Sequence, residues 1–159
     1  MQTIQEAKQY LRDNWEKGID CPCCGRLVKR YRYRMPSPSA RSLIILYRID
    51  KEKPSEWIHV QKEFASRGMN ANGMGYILLH WWGLIESKPG NEDTSKRANG
   101  YWRITPKGRA FVEGSIRVPS PIYIYDNRLV SRPEGEDTTI DIYEALGTKF
   151  NYQELMHGL

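Results

Sequence analysis

The predicted fold is decided by two stretches, GLIESKPG at residues 83–90 and GYWRITPKGRAFV at residues 100–112. In each stretch a short run rich in β-branched and aromatic side chains is typical of a strand. The polar residues 88–100 between them predict a loop. Thr105 followed by Pro106 predicts an N-cap and the first position of a helix. The two stretches therefore predict a β-hairpin that leads directly into a helix.

The residues before this hairpin predict three helices and a short strand. Pro36–Ser39 (PSPS) starts the first helix, in which Ala40, Leu43, Ile44 and Tyr47 form an apolar stripe. Residues 57–60 predict a short strand, and residues 61–67 predict a helix that ends at Gly68. Residues 73–82 predict a third helix. The order of elements predicts an α+β chain with a winged helix-turn-helix at its centre.

Residues 37–113 resemble the winged-helix domain of MarR-type regulators. The motifs that carry the resemblance are Gly83–Glu86 (GLIE) and Ile104–Gly108 (ITPKG). The resemblance implies binding of double-stranded DNA by the third helix and the hairpin loop, and a role in transcription regulation. The order of the whole chain also resembles small bacteriophage proteins whose activity is not settled, which implies a bacterial or phage setting.

Periodicity divides the third helix into an inward and an outward face. Met74, Ile77, Leu78 and Trp81 are expected to point inward. The residues expected to contact DNA are Asn70, Asn72, Tyr76 and His80 from the helix, and Lys88, Lys96 and Arg97 from the wing. Asparagine at a helix start suits recognition of adenine.

The third helix also departs from a typical DNA-reading helix. Residues 72–82 contain no Lys or Arg, whereas Leu79, Trp81 and Trp82 add apolar bulk. Exposed aromatic surface of this kind favours an alternative, in which a winged-helix adaptor or inhibitor binds a host or phage protein, or a second copy of itself as a homodimer. Both hypotheses stay open on the sequence.

The cysteines of the chain form one cluster, Cys21, Cys23 and Cys24, in the sequence CPCCG. The spacing of Cys21 and Cys24 is that of half a zinc knuckle. Because a structural zinc takes four ligands, Cys23 and a histidine or another chain would have to complete the site. The alternative is a knuckle turn that persists without metal.

Residues 26–34 alternate in the manner of a strand. Arg30, Arg32 and Arg34 share one face and are candidate phosphate contacts. Tyr31 and Tyr33 on the other face are expected to pack inward, or to stack on bases if the nucleic acid is single-stranded. The alternative is an edge strand whose charges prevent association between sheets.

The ends of the chain predict separate appendages to the winged helix. Residues 3–15 predict a helix capped by Thr3, residues 122–130 predict a hairpin that turns at Asp126-Asn127, and residues 138–146 predict a helix. The predicted division is therefore 1–36, 37–115 and 116–159.

Composition favours a binding protein inside a cell. Residues 1–120 carry 21 Lys and Arg against 12 Asp and Glu, whereas residues 121–159 carry 3 against 7. A basic body suits a polyanionic partner. No apolar run is long enough to cross a membrane, and three thiols suit the reducing cytoplasm. Because no nucleophile, phosphate-loop or HExxH motif is present, we predict a protein without enzymatic activity.

Overall fold

The computed structural model describes residues 3–89 and 100–157, and the chain separates into two compact units. The small unit comprises Met1–Arg34 and Ser120–Thr138, and the large unit comprises Met35–Pro119 and Thr139–Leu159. The structure thus divides the predicted 116–159 appendage, because its hairpin pairs with a strand of the small unit while its helices pack in the large unit.

The described residues form short helices and strands. The helices are α1 (Ile4–Asn14), α2 (Ser37–Glu52), α3 (Val60–Ser66), α4 (Ala71–Met74), α5 (Pro106–Val112), α6 (Ile142–Leu146) and α7 (Tyr152–His157), and a 3₁₀ helix covers Tyr76–Trp82. The strands are β1 (Ile19–Asp20), β2 (Leu27–Val28), β3 (Tyr31–Tyr33), β4 (Ile58–His59), β5 (Ile85–Ser87), β6 (Tyr101–Ile104), β7 (Val118–Pro119), β8 (Ile122–Tyr125), β9 (Arg128–Val130) and β10 (Thr139–Ile140). The strands pair in small antiparallel sheets, so the α+β prediction is confirmed.

Helix α2 is the centre of the large unit. Its apolar residues are buried, and it contacts α4, the 3₁₀ helix, β6, α5, α6 and α7. Two polar side chains on it are also fully buried, Ser39 and Ser42. The Ser42 hydroxyl donates to the Pro38 carbonyl (3.0 Å), and the Ser39 hydroxyl donates to the Gly75 carbonyl (2.8 Å). Both serines therefore enter the core without an unsatisfied hydroxyl.

The sheet of the large unit has the strand order β4-β6-β5. Ile58 pairs with Trp102 and Ile85 pairs with Ile104, so these four side chains share one face, and all four are buried. The predicted hairpin and the helix that follows it are both present. Thr105 caps α5 by accepting a hydrogen bond from the Gly108 amide (3.0 Å), as the sequence predicts.

The predicted third helix is divided in two at Gly75. This glycine has a φ of +68°, a left-handed conformation that ends α4, and the chain continues as a 3₁₀ helix. A 3₁₀ helix has three residues per turn, so Tyr76, Leu79 and Trp82 lie on one side. All three are buried, at 1%, 0% and 3% exposure, whereas Ile77 is 46% exposed. The expectations that Tyr76 points outward and Ile77 inward are wrong, because they assumed a continuous α-helix.

The small unit contains a capped helix and the predicted hairpin. Thr3 accepts a hydrogen bond from the Glu6 amide (3.1 Å) at the start of α1, and Asp126 and Asn127 turn the β8–β9 hairpin with φ of 50° and 57°. Both local predictions are confirmed. The sheet order β3-β8-β9 places β3 at an edge.

Within the described ranges, no helix combines the length and the apolar character needed to cross a membrane.

Substitution of Gly108 tests how closely α5 packs on the hairpin. A Cβ at this position would lie 2.2 Å from the Leu84 carbonyl oxygen and 2.7 Å from Ile104 Cγ1. We expect Gly108→Ala to lower the free energy of unfolding by about 3 kcal/mol, because backbone would have to move. Gly73→Ala in α4 is the matched control, since its nearest neighbour would be 3.7 Å away. In urea unfolding, the free energy of unfolding of the control should stay the same or rise by about 0.5–1 kcal/mol. Equal losses in both variants would contradict the packing described here.

Helix α2 is also tied to α5 by a two-point ion pair. Arg109 donates from Nε and Nη2 to the two carboxylate oxygens of Asp50, at 2.8 and 3.1 Å. Asp50 also accepts from the Ser55 amide at 3.0 Å. Burial acts to raise the pKa of Asp50, but the hydrogen bonds from Arg109 and Ser55, with the positive charges of Arg109 and Arg103, outweigh it and lower this pKa.

The lowered pKa of Asp50 predicts a specific acid sensitivity. The ionised carboxylate stabilises the folded state above the ordinary value of 3.8, and this contribution is lost as the pH falls through the lower folded-state pKa. At pH 7, Asp50→Asn is expected to cost about 1.5–3 kcal/mol. Urea unfolding is measured from pH 7 to pH 2.5. The difference in free energy of unfolding between Asp50→Asn and the unmodified protein should shrink below about pH 4. The exposed Glu154→Gln is the control, and a deficit for Asp50→Asn that is constant with pH would refute the assignment.

Candidate nucleic-acid interface

Two exposed amide side chains meet where α3 and α4 approach each other. Gln61 in α3 donates from Nε2 to Oδ1 of Asn72 in α4, at 3.0 Å. Helix α3 is positioned by its N-cap His59, whose Nδ1 accepts from the Lys62 amide at 3.3 Å. The fold thus joins the start of α3 to the start of α4 through side chains that solvent can reach.

Buried Tyr76 lies behind this amide pair. Its ring packs near Phe64 and edge-on to Trp102, with centroid separations of 6.5 and 6.2 Å. Burial raises the pKa of its hydroxyl, and hydrogen bonding with the side chains of Gln61 and Trp102 lowers it in part. The sequence predicted Tyr76 as a DNA contact, and this prediction is wrong. Tyr76 is a core residue whose hydroxyl lies next to the Gln61 side chain.

The amide pair has a defined chemical capacity. Because the Gln61 amino group and the Asn72 carbonyl oxygen satisfy each other, Oε1 of Gln61 and Nδ2 of Asn72 remain for a ligand. One is an acceptor and the other a donor, the two kinds of hydrogen-bonding group that the N6 amino group and N7 of adenine can pair with in the major groove. We name these two residues the amide pair.

The other predicted helix contacts have different environments. Asn70 is exposed and is the N-cap residue of α4, although its side chain caps no amide. His80 is half-buried, with Nδ1 2.6 Å from the Ile77 carbonyl oxygen and its ring 4.3 Å from that of Trp81. His80 is thus held against the 3₁₀ helix and stays partly accessible, and its contact with DNA stays a prediction.

The hairpin end is anchored to the start of α3. Lys88 is exposed and its Nζ lies 5.4 Å from the ring centroid of Tyr101, and Tyr101 stacks edge-on against His59 at 5.2 Å. Since His59 caps α3, this chain of contacts connects Lys88 to the helix that carries Gln61. The remaining predicted wing contacts, Lys96 and Arg97, lie outside the described residues.

The cations near the amide pair differ in whether they are neutralised. Arg67 pairs with Glu52 at 3.0 Å. Within residues 3–89 and 100–157, no carboxylate lies within ion-pair distance of Lys62 or Lys88. Of these three cations, Lys62 and Lys88 are therefore the ones whose positive charge is available to a phosphate.

Arg30 in the small unit has a structural role that the sequence did not suggest. Its guanidinium lies between the rings of Trp15 (5.0 Å) and Tyr123 (4.5 Å) and pairs with Glu16, and only 8% of its side chain is exposed. A guanidinium held in this way cannot grip phosphate, so the prediction for Arg30 is wrong. Arg32 and Arg34 are exposed, and their contact with phosphate stays a prediction.

The cysteine cluster forms a tight turn. The Cys23 amide lies 3.4 Å from Sγ of Cys21, and hydrogen bonds from the Cys23 and Cys24 amides lower the pKa of the Cys21 thiol. In the part of the chain that the structure describes, no group of three or more His, Cys, Asp or Glu side chains is placed to hold a metal ion. The described residues therefore do not fit a four-ligand zinc site.

Comparisons of the chain with protein-family models, with curated proteins and with solved structures give no match. The resemblance to MarR-type regulators stays a prediction, and the functional argument rests on the geometry above. Gln61 and Lys62 are the residues of this surface that the sequence did not single out. No local signal marks Gln61, because its importance arises from contacts with Asn72 and Tyr76, 11 and 15 positions along the chain.

The different environments of Tyr76 and Asn72 predict different effects on stability. Tyr76→Ala removes a buried ring and should lower the free energy of unfolding by about 3–5 kcal/mol. Asn72→Ala changes an exposed side chain and should alter it by less than about 0.5 kcal/mol. Urea unfolding of both variants checks this, and a small effect at Tyr76 would show that its ring is not in the core.

Proposed function

We propose that the large unit binds double-stranded DNA as a winged-helix-type domain. In this proposal the start of α4 enters the major groove and the β5–β6 connection contacts the adjacent backbone as a wing. The amide pair is the observation that carries the proposal, because it presents a donor and an acceptor on an exposed surface and its two side chains hold each other by a hydrogen bond.

The order of elements supports the winged-helix interpretation. From α2 to α5 the chain alternates as helix, strand, two short helices, two strands and helix, and the three strands form the sheet β4-β6-β5. This is the arrangement that the resemblance implies for residues 37–113. It differs at the 3₁₀ helix, which shortens the segment available to enter a groove to α4 and the residues just before it.

Recognition through the amide pair would require little ordering of side chains on binding. The mutual hydrogen bond restricts both side chains in the free protein, so less rotamer freedom is lost when a base edge is bound. A well-placed bidentate contact with adenine contributes about 1–3 kcal/mol of discrimination. The large unit would accordingly prefer a site that contains adenine.

Backbone attraction would come from outside α4. Residues 72–82 contain no Lys or Arg, but Lys62 flanks the amide pair and Lys88 lies at the hairpin end. Lys96 and Arg97 are proposed to add to them. A domain of this kind would suit transcriptional control in a bacterial or phage-infected cell, with the cytoplasm as its location.

The alternative, an adaptor that uses the third helix to bind protein, has less surface than the sequence predicts. Leu79 and Trp82 are buried, and Trp82 also donates from Nε1 to the Pro119 carbonyl at 2.6 Å. Ile77, at 46% exposure, is the most accessible apolar side chain of this segment, and Leu78 and Trp81 are half-buried. Substitution of Ile77 therefore separates the two proposals.

Duplex binding is tested by fluorescence anisotropy with mixed genomic fragments between about 50 and 200 mM salt, followed by selection of a preferred site. Asn72→Ala and Gln61→Ala should each weaken binding to the selected site about tenfold and relax the preference for adenine. Lys62→Ala combined with Lys88→Ala should reduce the salt slope by about 2 for every sequence.

Two controls distinguish the surfaces. Lys149→Ala, an exposed lysine between α6 and α7, should leave the salt slope unchanged, and Ile77→Ala should leave duplex affinity unchanged. Absence of duplex binding at 50 mM salt would refute the proposal. Duplex binding that depends on Ile77 but not on the amide pair would place the contact on the 3₁₀ helix instead.

A further inference from the structure

One face of the sheet β3-β8-β9 in the small unit exposes aromatic and apolar side chains. Tyr31 pairs with Ile124, which pairs in turn with Leu129, so the three side chains point to the same face. Tyr31 is 44% exposed and Leu129 is 54% exposed. Tyr33, two positions along β3, shares this face. We call it the tyrosine face.

The opposite face of the same sheet packs on Arg30 and Trp15. Tyr123 points to that side, where its ring covers the guanidinium of Arg30, which also contacts Trp15. The tyrosine face is packed in part as well, since Ile122 and Ile124 on it are 4% and 6% exposed, and its accessible side chains are Tyr31 and Leu129. Tyr31 and Tyr33 were expected from the sequence to pack inward, but the structure leaves the Tyr31 ring accessible.

The two tyrosine rings are arranged as a stacking platform. Their centroids are 6.3 Å apart and their planes are inclined by 24°. Two stacking intervals of about 3.4 Å, the spacing of successive bases, need a gap of about 6.8 Å. A small rotation of the exposed Tyr31 ring would thus admit a flat base between the two rings.

A recess of about 370 Å³ adjoins Tyr31. Its charged lining residues are Arg26, Lys29 and Asp126, which leaves one net positive charge. Lys29 places Nζ 5.2 Å from the centroid of the Tyr31 ring, whereas Arg32 points to the opposite face with Tyr123. Lys29 and Arg26 are therefore the cations beside the aromatic surface that can pair with phosphates following a stacked base.

We propose that the tyrosine face binds single-stranded nucleic acid, with bases stacked on Tyr31 and Tyr33 and phosphates near Lys29 and Arg26. A duplex does not fit this surface, because its base faces are already stacked on one another. Stacking does not depend on sequence, since every base has a π face. The proposal concerns the small unit and does not depend on duplex binding by the large unit.

The test uses the full chain in a thiol reductant and a labelled 12-nucleotide oligothymidylate, which forms no duplex, at 50 mM salt. Tyr31→Leu should weaken its binding about tenfold, because one stacked base is lost, whereas Tyr31→Phe should retain it. Tyr143→Leu is the matched control, since Tyr143 is also exposed, at 51%, but belongs to the large unit. Unfolding midpoints of all variants establish that they are folded.

The same variants are titrated with a blunt duplex of mixed sequence. Loss of oligothymidylate binding in Tyr31→Leu with unchanged duplex binding supports the proposal, and Asn72→Ala should show the reverse. No binding of oligothymidylate by the unmodified protein, or equal binding by Tyr31→Leu, would overturn it. Loss of oligothymidylate binding in Asn72→Ala but not in Tyr31→Leu would also overturn it, because the single-stranded DNA would then bind to the large unit. Single-strand binding without duplex binding would refute the proposed function alone.

Discussion

Burial of α2 is the constraint on which the large unit depends. A helix that contacts other elements on nearly every side must present apolar side chains around most of its circumference, and the run SLIILY at residues 42–47 does so. Each of these large apolar side chains contributes roughly 1.5–3 kcal/mol through removal from water. The polar groups that enter with them are satisfied locally, by Ser42 on its own helix and by Ser39 on the Gly75 carbonyl. The position of the break at Gly75 is therefore tied to the core.

That break determines what the surface offers. By ending α4 after one turn, it starts a 3₁₀ helix whose period of three turns Tyr76, Leu79 and Trp82 inward together. The Tyr76 hydroxyl then reaches Gln61, and Gln61 reaches Asn72. A buried aromatic residue thus lies beside one member of the exposed amide pair, where the core meets the surface. The same inward rotation buries Trp82 and leaves Trp81 half-buried, which reduces the tryptophan surface that a protein-binding helix would need.

The small unit shows how alternation along one strand separates structural from available groups. Successive residues of β3 face opposite sides of its sheet, so the tyrosines lie on one side while the arginine ladder lies on the other. Arg30 comes just before the strand and is enclosed by Trp15 and Tyr123, with Glu16 to balance its charge. The unit therefore buries Arg30, which the sequence predicts as a phosphate contact, and exposes the ring of Tyr31, which the sequence places on the inward side.

The sequence by itself determined the features that neighbouring residues control. Thr3 and Thr105 cap their helices, Asp126-Asn127 turns a hairpin, and the stretches around residues 84–86 and 101–104 pair as strands, because caps, turns and short hairpins depend on groups a few positions apart. Only the tertiary structure decided that the hairpin at 122–130 pairs with β3, that Arg30 is enclosed, and that Gln61 meets Asn72. These contacts join residues that are far apart in the chain or on separate elements, and no local pattern specifies them. The candidate site was predicted in part. The sequence named Asn72 and Lys88 but not Gln61 or Lys62, and it misplaced Tyr76 and Ile77, because their burial and exposure follow from the 3₁₀ helix and its packing against α2 rather than from α-helical periodicity.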